Sequence, residues 1–366
     1  MMEYSFSELF YDDTKNAKKL KSSEYKDNGK YIIVDQGQKL IAGYTDIENG
    51  LYLDTPVIIF GDHTRNIKFI DKPFYLGADG TKVLKSTLKN ANYKYLYYAL
   101  KSSKIPNTGY NRHFKWLKEL KFKRHSIIDQ ENIVNILDSV QEIIAKYNKQ
   151  LNMLDELVKA RFVEMFGDAV ENTMNWPETF IGDKCFVTKL AGFEYTQYIN
   201  YKESGEVVMV KAQNVKNGKL NRKDLSFISK KVSDSLSRSQ LAPGDVVMTY
   251  VGANIGDVAV IDDVYKYHLA PNVAKIRPNA EVYNSIYFMY MLMLLNIYIV
   301  KNSADTAKAA LGMERIRRLK VFIPPIELQN QFADLVKEVD KSRLEVQKSL
   351  EKTQELFDSL MQKYFG

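Results

Sequence analysis

The sequence predicts an α/β (α+β) protein: two variable domains separated by two long antiparallel coiled-coil helices, related by a pseudo-two-fold internal repeat. Three observations predict this. The stretch from Leu120 to Gly167 recurs from Leu319 to Gly366 at a constant offset of 199 residues, which pairs Gln130 with Gln329, Leu151 with Leu350 and Phe166-Gly167 with Phe365-Gly366. A fixed period of this length marks a duplicated unit. Each copy carries a heptad seam with no Gly or Pro between its ends. Short apolar runs punctuated by polar turns fill the rest of the chain, in the same order both times.

In the first copy the seam is Ile133, Leu137, Val140, Ile144, Tyr147, Leu151, Leu154 and Val158, spaced alternately four and three apart. In the second it is Phe332, Val336, Val339, Val346, Leu350 and Phe357, with Arg343 and Thr353 at the interruptions. From Gln130 to Phe166 a helix is roughly 55 Å long. One narrow apolar stripe needs a partner, and the other copy is the nearest candidate. A separate oligomerisation helix in each half is the alternative.

The first domain opens with a buried strand at Tyr31–Val34 and a polar turn at Asp35-Gln36-Gly37. Pro56–Phe60 is a second strand, with Gly61-Asp62-His63-Thr64-Arg65 as its loop. Asp79-Gly80 turns into Thr81–Leu84, and Tyr93–Leu100 reads as a Tyr-rich helix. Pro106–Arg112 is a loop, followed by the basic stretch Arg112, Lys115, Lys118, Lys121, Lys123 and Arg124. The order then repeats. Val207–Val210 is a strand followed by Lys211-Ala212-Gln213-Asn214. Pro243-Gly244-Asp245 leads into Val246-Val247-Met248, and the loop Gly252–Gly256 matches the Gly61 loop. Pro271–Ile276 resembles the stretch around Lys82, and Ile286–Tyr298 answers the Tyr-rich helix. Lys308, Gly312, Arg315, Arg317 and Arg318 form the second basic stretch. Ile323-Pro324-Pro325 precedes the second rod, where proline belongs before a helix.

The chain has 366 residues, 45% hydrophobic and 27% charged, which are globular values requiring more than one core. The start lacks the basic and apolar regions of a signal peptide, and the apolar run Ile286–Val300 is too short to span a bilayer. The single cysteine, Cys185, gives neither disulfide nor metal cluster and suits a cytoplasmic protein. His63, His113, His125 and His268 are scattered. There is no phosphate-cradling Gly-x-x-x-x-Gly-Lys-Ser/Thr loop and no Gly-x-Gly-x-x-Gly. Pro324-Pro325 lacks the polar neighbours of an adenine methyltransferase motif. No catalytic residue and no metal site are therefore expected. The tyrosines, 24 in number, are read as core.

What remains is polar and basic, with a net charge of +7 that suits a polyanion partner. The DNA-binding candidates of the first domain are Gln36, His63, Thr64, Arg65, Lys82, Asn111, Arg112, Lys115 and Lys118. Those of the second are Lys211, Gln213, Asn214, Asn254, Asn272, Lys308, Arg315 and Arg318. Gln and Asn pair with adenine, and Arg with guanine. Lysines such as Lys115, Lys118 and Lys308, with Arg318, neutralise phosphates. Singly, each is an ordinary surface residue; their recurrence at equivalent points of two divergent domains is the argument.

On the phrase Ile323-Pro324-Pro325-Ile326-Glu327-Leu328-Gln329-Asn330-Gln331, on Asn175-Trp176-Pro177 with Ile181-Gly182-Asp183, and on Pro243-Gly244-Asp245-Val246-Val247, the chain resembles a specificity subunit of a type I restriction-modification system. In the first copy His125-Ser126 stands in place of Pro-Pro. The resemblance implies target-recognition domains at 1–125 and 168–322 and spacer helices at 126–167 and 323–366. It implies a non-catalytic subunit that reads a bipartite double-stranded DNA target. Its partners would be two modification (methyltransferase) subunits and restriction (endonuclease/translocase) subunits, with no membrane. S-adenosylmethionine, ATP and Mg would belong to those partners, with no cofactor in this chain. A recognition subunit of an orphan methyltransferase and a coiled-coil interaction protein without DNA remain as alternatives.

Overall fold

The computed structural model of the chain describes residues 2–77, 79–109, 111–252, 254–302 and 311–366. It divides into two compact units: Met1–Lys149 with Gln347–Gly366, and Gln150–Val346.

Both seams form helices of 40 residues, Ile127–Phe166 and Ile326–Phe365, each about 60 Å long. Both begin the same way. Ser126 O accepts the Gln130 N–H at 2.8 Å, and Pro325 O accepts the Gln329 N–H at 3.2 Å. The conserved pair of the repeat, Gln130 and Gln329, is buried. Each donates its amide to a carbonyl five residues upstream, His125 O at 2.9 Å and Pro324 O at 2.8 Å. His125 thus replaces proline without losing the clasp, because the acceptor is a backbone oxygen. Gly167 ends the first helix in the left-handed region, at φ 79.

The pairing is antiparallel within each unit. In the first, Ile133, Val134, Leu137 and Val140 share a core with Phe357 and Met361. In the second, Val158, Phe162 and Phe166 share one with Phe332, Val336 and Val339. The Phe162 and Phe332 rings meet edge to face at 5.4 Å. Val346 is buried too, whereas Ile144, Tyr147, Leu151, Leu154 and Leu350 are only half-buried. A two-helix seam covers a side chain from one direction; full burial needs the domain bodies that flank its ends. Arg343, the seam's charged interruption, bonds the carboxylates of Asp155 on the facing helix and Asp340 on its own.

In the first unit one sheet has the order Phe10–Asp12, Thr81–Ser86, Val57–Gly61, Ile67–Ile70, all antiparallel. A second sheet holds Gly43–Thr45, Tyr31–Val34 and Phe74–Leu76, the last two parallel. The second unit repeats the plan. Its first sheet runs Cys185–Lys189, Val273–Pro278, Val246–Thr249, Val258–Val260. Its second runs Ser226–Ile228, Val207–Val210, Lys266–Leu269, Gln240–Leu241, again with the 207–210 and 266–269 strands parallel. Val57–Gly61 and Val246–Thr249 are buried throughout, so they read as unbroken apolar runs rather than alternation.

Each unit is closed by a small antiparallel pair at the foot of its long helix: Met2–Ser5 with Lys121–Arg124, and Glu178–Phe180 with Lys320–Phe322. Lys121, Lys123 and Arg124 of the basic stretch therefore lie in a strand. Helices Tyr93–Lys101 and Ser285–Asn302 occupy the predicted places. Among the described residues no helix is long and apolar enough to cross a membrane, and no cluster of His, Cys, Asp or Glu could hold a metal ion.

Candidate nucleic-acid interface

Strand direction decides where the polar loops go. Parallel strands release their C-terminal ends on the same side of a sheet. In the first unit Val34 and Leu76 are such ends. Gly61, which ends its own strand, lies opposite Thr81, which begins one. The residues after Val34, after Gly61 and before Thr81 thus meet at one edge. Gln36 ties them together: Nε2 donates to Asp79 O at 2.9 Å, Oε1 accepts from His63 N at 3.2 Å, and its carbonyl accepts from Thr64 Oγ1 at 2.6 Å. A fourth segment is fixed by buried Asp62, whose carboxylate caps Phe114 N at 2.7 Å and whose carbonyl accepts His113 N at 2.8 Å. Asn111, Arg112, Lys115 and Lys118 are thereby carried to the loop of His63, Thr64 and Arg65.

Arg65 sits in the left-handed region at φ 61, uncommon for a residue other than Gly, Asn or Asp. Its guanidinium donates to Ile105 O at 3.2 Å, beside a hollow of about 370 Å³ lined by Thr64, Asn66, Lys101 and Ser103 among others. Arg112 is exposed, with no hydrogen bond or ion pair among the described residues. Lys115 Nζ lies 4.7 Å from the Trp116 ring centre. Lys82 and Lys118 lie 5.0 and 4.9 Å from that of Phe114. Asn111 turns its amide back to Thr108 O.

The second unit builds the same edge. Ala270 N donates to Val210 O at 3.2 Å, Tyr250 N to Asn272 O at 3.0 Å and Leu311 N to Tyr250 O at 2.9 Å. These bonds join the segments carrying Lys211, Gln213, Asn254, Asn272 and, in helix Met313–Arg317, Arg315. Gln213, Asn254, Asn272 and Arg315 are exposed. Asn272 takes φ 70, which Asn tolerates. Lys308 lies outside the described residues.

Some candidates are committed elsewhere. Asn214 is only 3% exposed, and its amide bonds Asn221 O at 2.9 Å, Lys223 O at 3.3 Å and Lys211 N at 3.1 Å. It is a loop clasp, because a buried amide must be spent internally, and this corrects its reading as an adenine reader. Gln36 has the same occupation. Lys82 pairs with Asp12 at 2.8 Å. Burial pushes that carboxyl up, but the bonds from Lys82 and Thr14 outweigh it and hold Asp12 below its ordinary range. Lys211 Nζ bonds Ser226 Oγ at 2.9 Å and Asp224 O at 3.3 Å, and Arg318 pairs with Glu314 at 3.0 Å.

Other residues of the edge were not picked out from sequence. Asp62 is visible there only as a loop acid. Lys101, which ends the Tyr-rich helix, and Lys104 just after it are exposed, a charge signal that could have found them. Lys189 lies 5.5 Å from the Tyr250 ring centre. Some tyrosines are core, as read: Tyr75, Tyr95, Tyr98, Tyr283 and Tyr287 are fully buried. Tyr11, Tyr198, Tyr201 and Tyr265 are exposed and correct that reading. Of the buried lysines, Lys68 and Lys275 each donate to a pair of backbone carbonyls. Burial pushes both ammonium groups below their ordinary pKa, with Asp35 and Asp245 respectively opposing it. They hold loops rather than phosphates.

Comparison with known proteins fits this architecture. A family model, the type I restriction modification DNA specificity domain, matches residues 175–356. The Escherichia coli type I restriction enzyme EcoBI specificity subunit is 22% identical over 165 residues, covering 43% of this chain and 35% of that protein. The MjaVIII specificity subunit of Methanocaldococcus jannaschii is 23% identical over 300 residues, covering 73% and 69%. The chain spans about a third to a half of the length of the EcoBI, MjaX and EcoR124I relatives it matches. The crystal structure of a type I restriction-modification S subunit from M. genitalium superposes with a TM-score of 0.59 at 17% identity, over 100% of this chain and 96% of that one. A chain from a structure of a type I R-M system gives 0.55 at 15%, over 99% and 97%. At these identities the superpositions show the fold. With two α/β bodies on paired long helices and the matched domain across the second body, the chain belongs to the type I restriction-modification specificity subunits.

Proposed function

We propose that each unit reads one half of a split double-stranded DNA target through its four-segment edge, and that the chain thereby directs methyltransferase and restriction subunits to that sequence. The observation that carries this is the recurrence of one polar, basic edge at the same topological place in two bodies of divergent sequence. A structural role alone would conserve the core and let the loops drift in sign. On this reading residues 1–125 and 168–322 are the recognition domains, and 126–167 with 323–366 are the spacer and docking helices. S-adenosylmethionine, ATP and Mg²⁺ enter with the partners, and this chain contributes no catalytic group.

Within the edges, Arg65, Arg112, Gln213, Asn254, Asn272 and Arg315 are the base readers. Lys115 and Lys118 neutralise phosphates. Expressing the chain with its modification subunit in a methylation-free host, and sequencing the modified adenines, tests this. The expected motif is split by an unread gap. Arg112→Ala relaxes one position of one half, and Arg315→Ala one position of the other, each at about 1–3 kcal/mol. Lys115→Gln weakens binding to all duplexes alike and lowers the salt slope by about 0.9. An unsplit motif, or both arginine variants acting on the same half, would overturn the two-reader assignment.

A further inference from the structure

Residues 190–206 join strand Cys185–Lys189 to strand Val207–Val210. Their short helix, Gly192–Tyr198, packs inward through Tyr195, and Ile199 follows it onto the apolar core of the second sheet. The other aromatic rings face water. Phe193 is 67% exposed, Tyr198 46% and Tyr201 37%. Single exposed apolar side chains are ordinary; three aromatics within nine residues are not.

Their position is specific. Lys189 lies opposite Ala274, next to Val273, which faces Thr249. The segment therefore leaves its sheet at the edge that carries Asn254 and Asn272. At its other end, Tyr201 lies 6.0 Å from Lys211 Nζ and 6.1 Å from the Tyr195 ring. Three lysines flank the segment: Lys189, Lys202 and Lys211. Of the carboxylates nearby, Glu194 is taken by Arg238 at 3.4 Å and by the Ala191 N–H at 3.0 Å, Glu206 accepts the Lys230 N–H at 3.1 Å, and Glu203 stands exposed beside Lys202. Exposed rings among lysines, continuous with a base-reading edge, match the stacking and wedge chemistry of nucleic-acid binders. An apolar protein partner would have no use for lysines at both ends of the segment, Lys189 and Lys211.

We propose that Phe193, Tyr198 and Tyr201 form an aromatic wedge that unstacks a base step beside the bases read by the second unit, with Phe193 as the leading ring. The inference rests on the proposal that this edge faces DNA. The wedge belongs to the second unit only. The corresponding stretch of the first, between strands Phe10–Asp12 and Tyr31–Val34, exposes Lys15, Lys18, Lys19, Lys21 and Lys26, and its one aromatic, Tyr25, is half-buried.

The test uses the complex of this chain with its modification subunits. It is bound to a duplex carrying the adenine-methylated site that the complex directs. 2-Aminopurine replaces one unmethylated adenine at a time, so that extrusion of the target base is not what is read. The expected result is a fluorescence rise at a step in or beside one half-site only. Phe193→Ala abolishes it and weakens binding about tenfold, and Phe193→Trp restores both. Because Phe193 is largely exposed, its truncation leaves the fold intact. A rise unchanged in Phe193→Ala, with affinity kept, would sink the wedge while leaving DNA reading in place. Loss of the modification subunit from Phe193→Ala, with an unaltered fluorescence rise, would make the patch a protein-docking site and also overturn it. Wild-type complex that binds its methylated site no better than unrelated duplex would remove the DNA reading itself.

Discussion

Asn214 and Asn272 look alike in the sequence: both are asparagines after an apolar run, in polar loops of one edge. Burial separates them. Asn214 spends its amide on three backbone groups, while Asn272 stays exposed in a left-handed turn. Asn214→Ala should therefore cost about 1–3 kcal/mol of stability, through groups left unpaired, with the methylated motif unchanged. Thermal unfolding and methylome sequencing of the same variant check both halves. A shifted motif at full stability would return Asn214 to the readers. His268 offers a pH test. It is fully buried at the end of strand Lys266–Leu269, and burial pushes its imidazole below the ordinary value. Lys275 nearby lowers it further, whereas its bonds to backbone carbonyls and Glu194 oppose the shift. The unfolded chain then binds a proton that the folded chain refuses. The stabilising contribution is present above the unfolded value of about 6.5 and is lost as pH falls through the lower folded value. Denaturant unfolding of the full chain should weaken over that acid window, and His268→Gln should flatten the slope there.

The long helices show how one periodicity serves two environments. Phe162 meets Phe166, Tyr287 and Phe332 within ring distances of 5.0, 5.5 and 5.4 Å. Phe162→Ala should cost about 3–5 kcal/mol, by lost burial and the cavity left behind. Arg343 occupies an interruption of the same seam, with its side chain 14% exposed and both carboxylate partners substantially solvated. Replacing it by methionine removes a desolvated charge and frees Asp155 and Asp340 into water. The expected change is within about 1 kcal/mol, of either sign. A loss at Arg343→Met as large as at Phe162→Ala would mean that the ion pair, not the apolar seam, holds the helices. Legibility followed periodicity here. The seam was readable because identical spacing persists over forty-residue helices. The strands Phe74–Leu76 and Phe10–Asp12, of three residues each, were missed because so short a run carries no period.

At the scale of the molecule, the proposed reading makes helix length the ruler of the target. Seven residues inserted into both helices keep the seam in phase and lengthen each by about 10 Å. That corresponds to roughly three base pairs at 3.4 Å each, and to nearly a third of a duplex turn. Both half-site sequences should survive, with the unread spacer wider and some affinity lost to twisting or bending the DNA. Methylome sequencing of cells carrying the variant decides it, and an active variant with the original spacer would show that the helices are not the ruler.

By itself the sequence determined the duplicated plan and the two rods, since these rest on local periodicity and on an offset that survives divergence, whereas the pairing of the rods with each other was decided by the shared cores of the folded chain. It also determined which loops collect polar and basic residues. Only the tertiary structure decided which of those residues face outward. Gln36, Lys82, Lys211 and Asn214 look like Arg112, Gln213 and Asn272 in a string of letters, yet the first four are held by Asp79, Asp12, Ser226 and Asn221. Aromatics divide the same way: Tyr195 packs inward and Tyr198 stands in water three residues later. The reason is physical. Hydrophobic spacing is written along the chain, whereas the partner that satisfies a polar group, or the surface that covers a ring, comes from a distant strand and exists only once the sheets have closed.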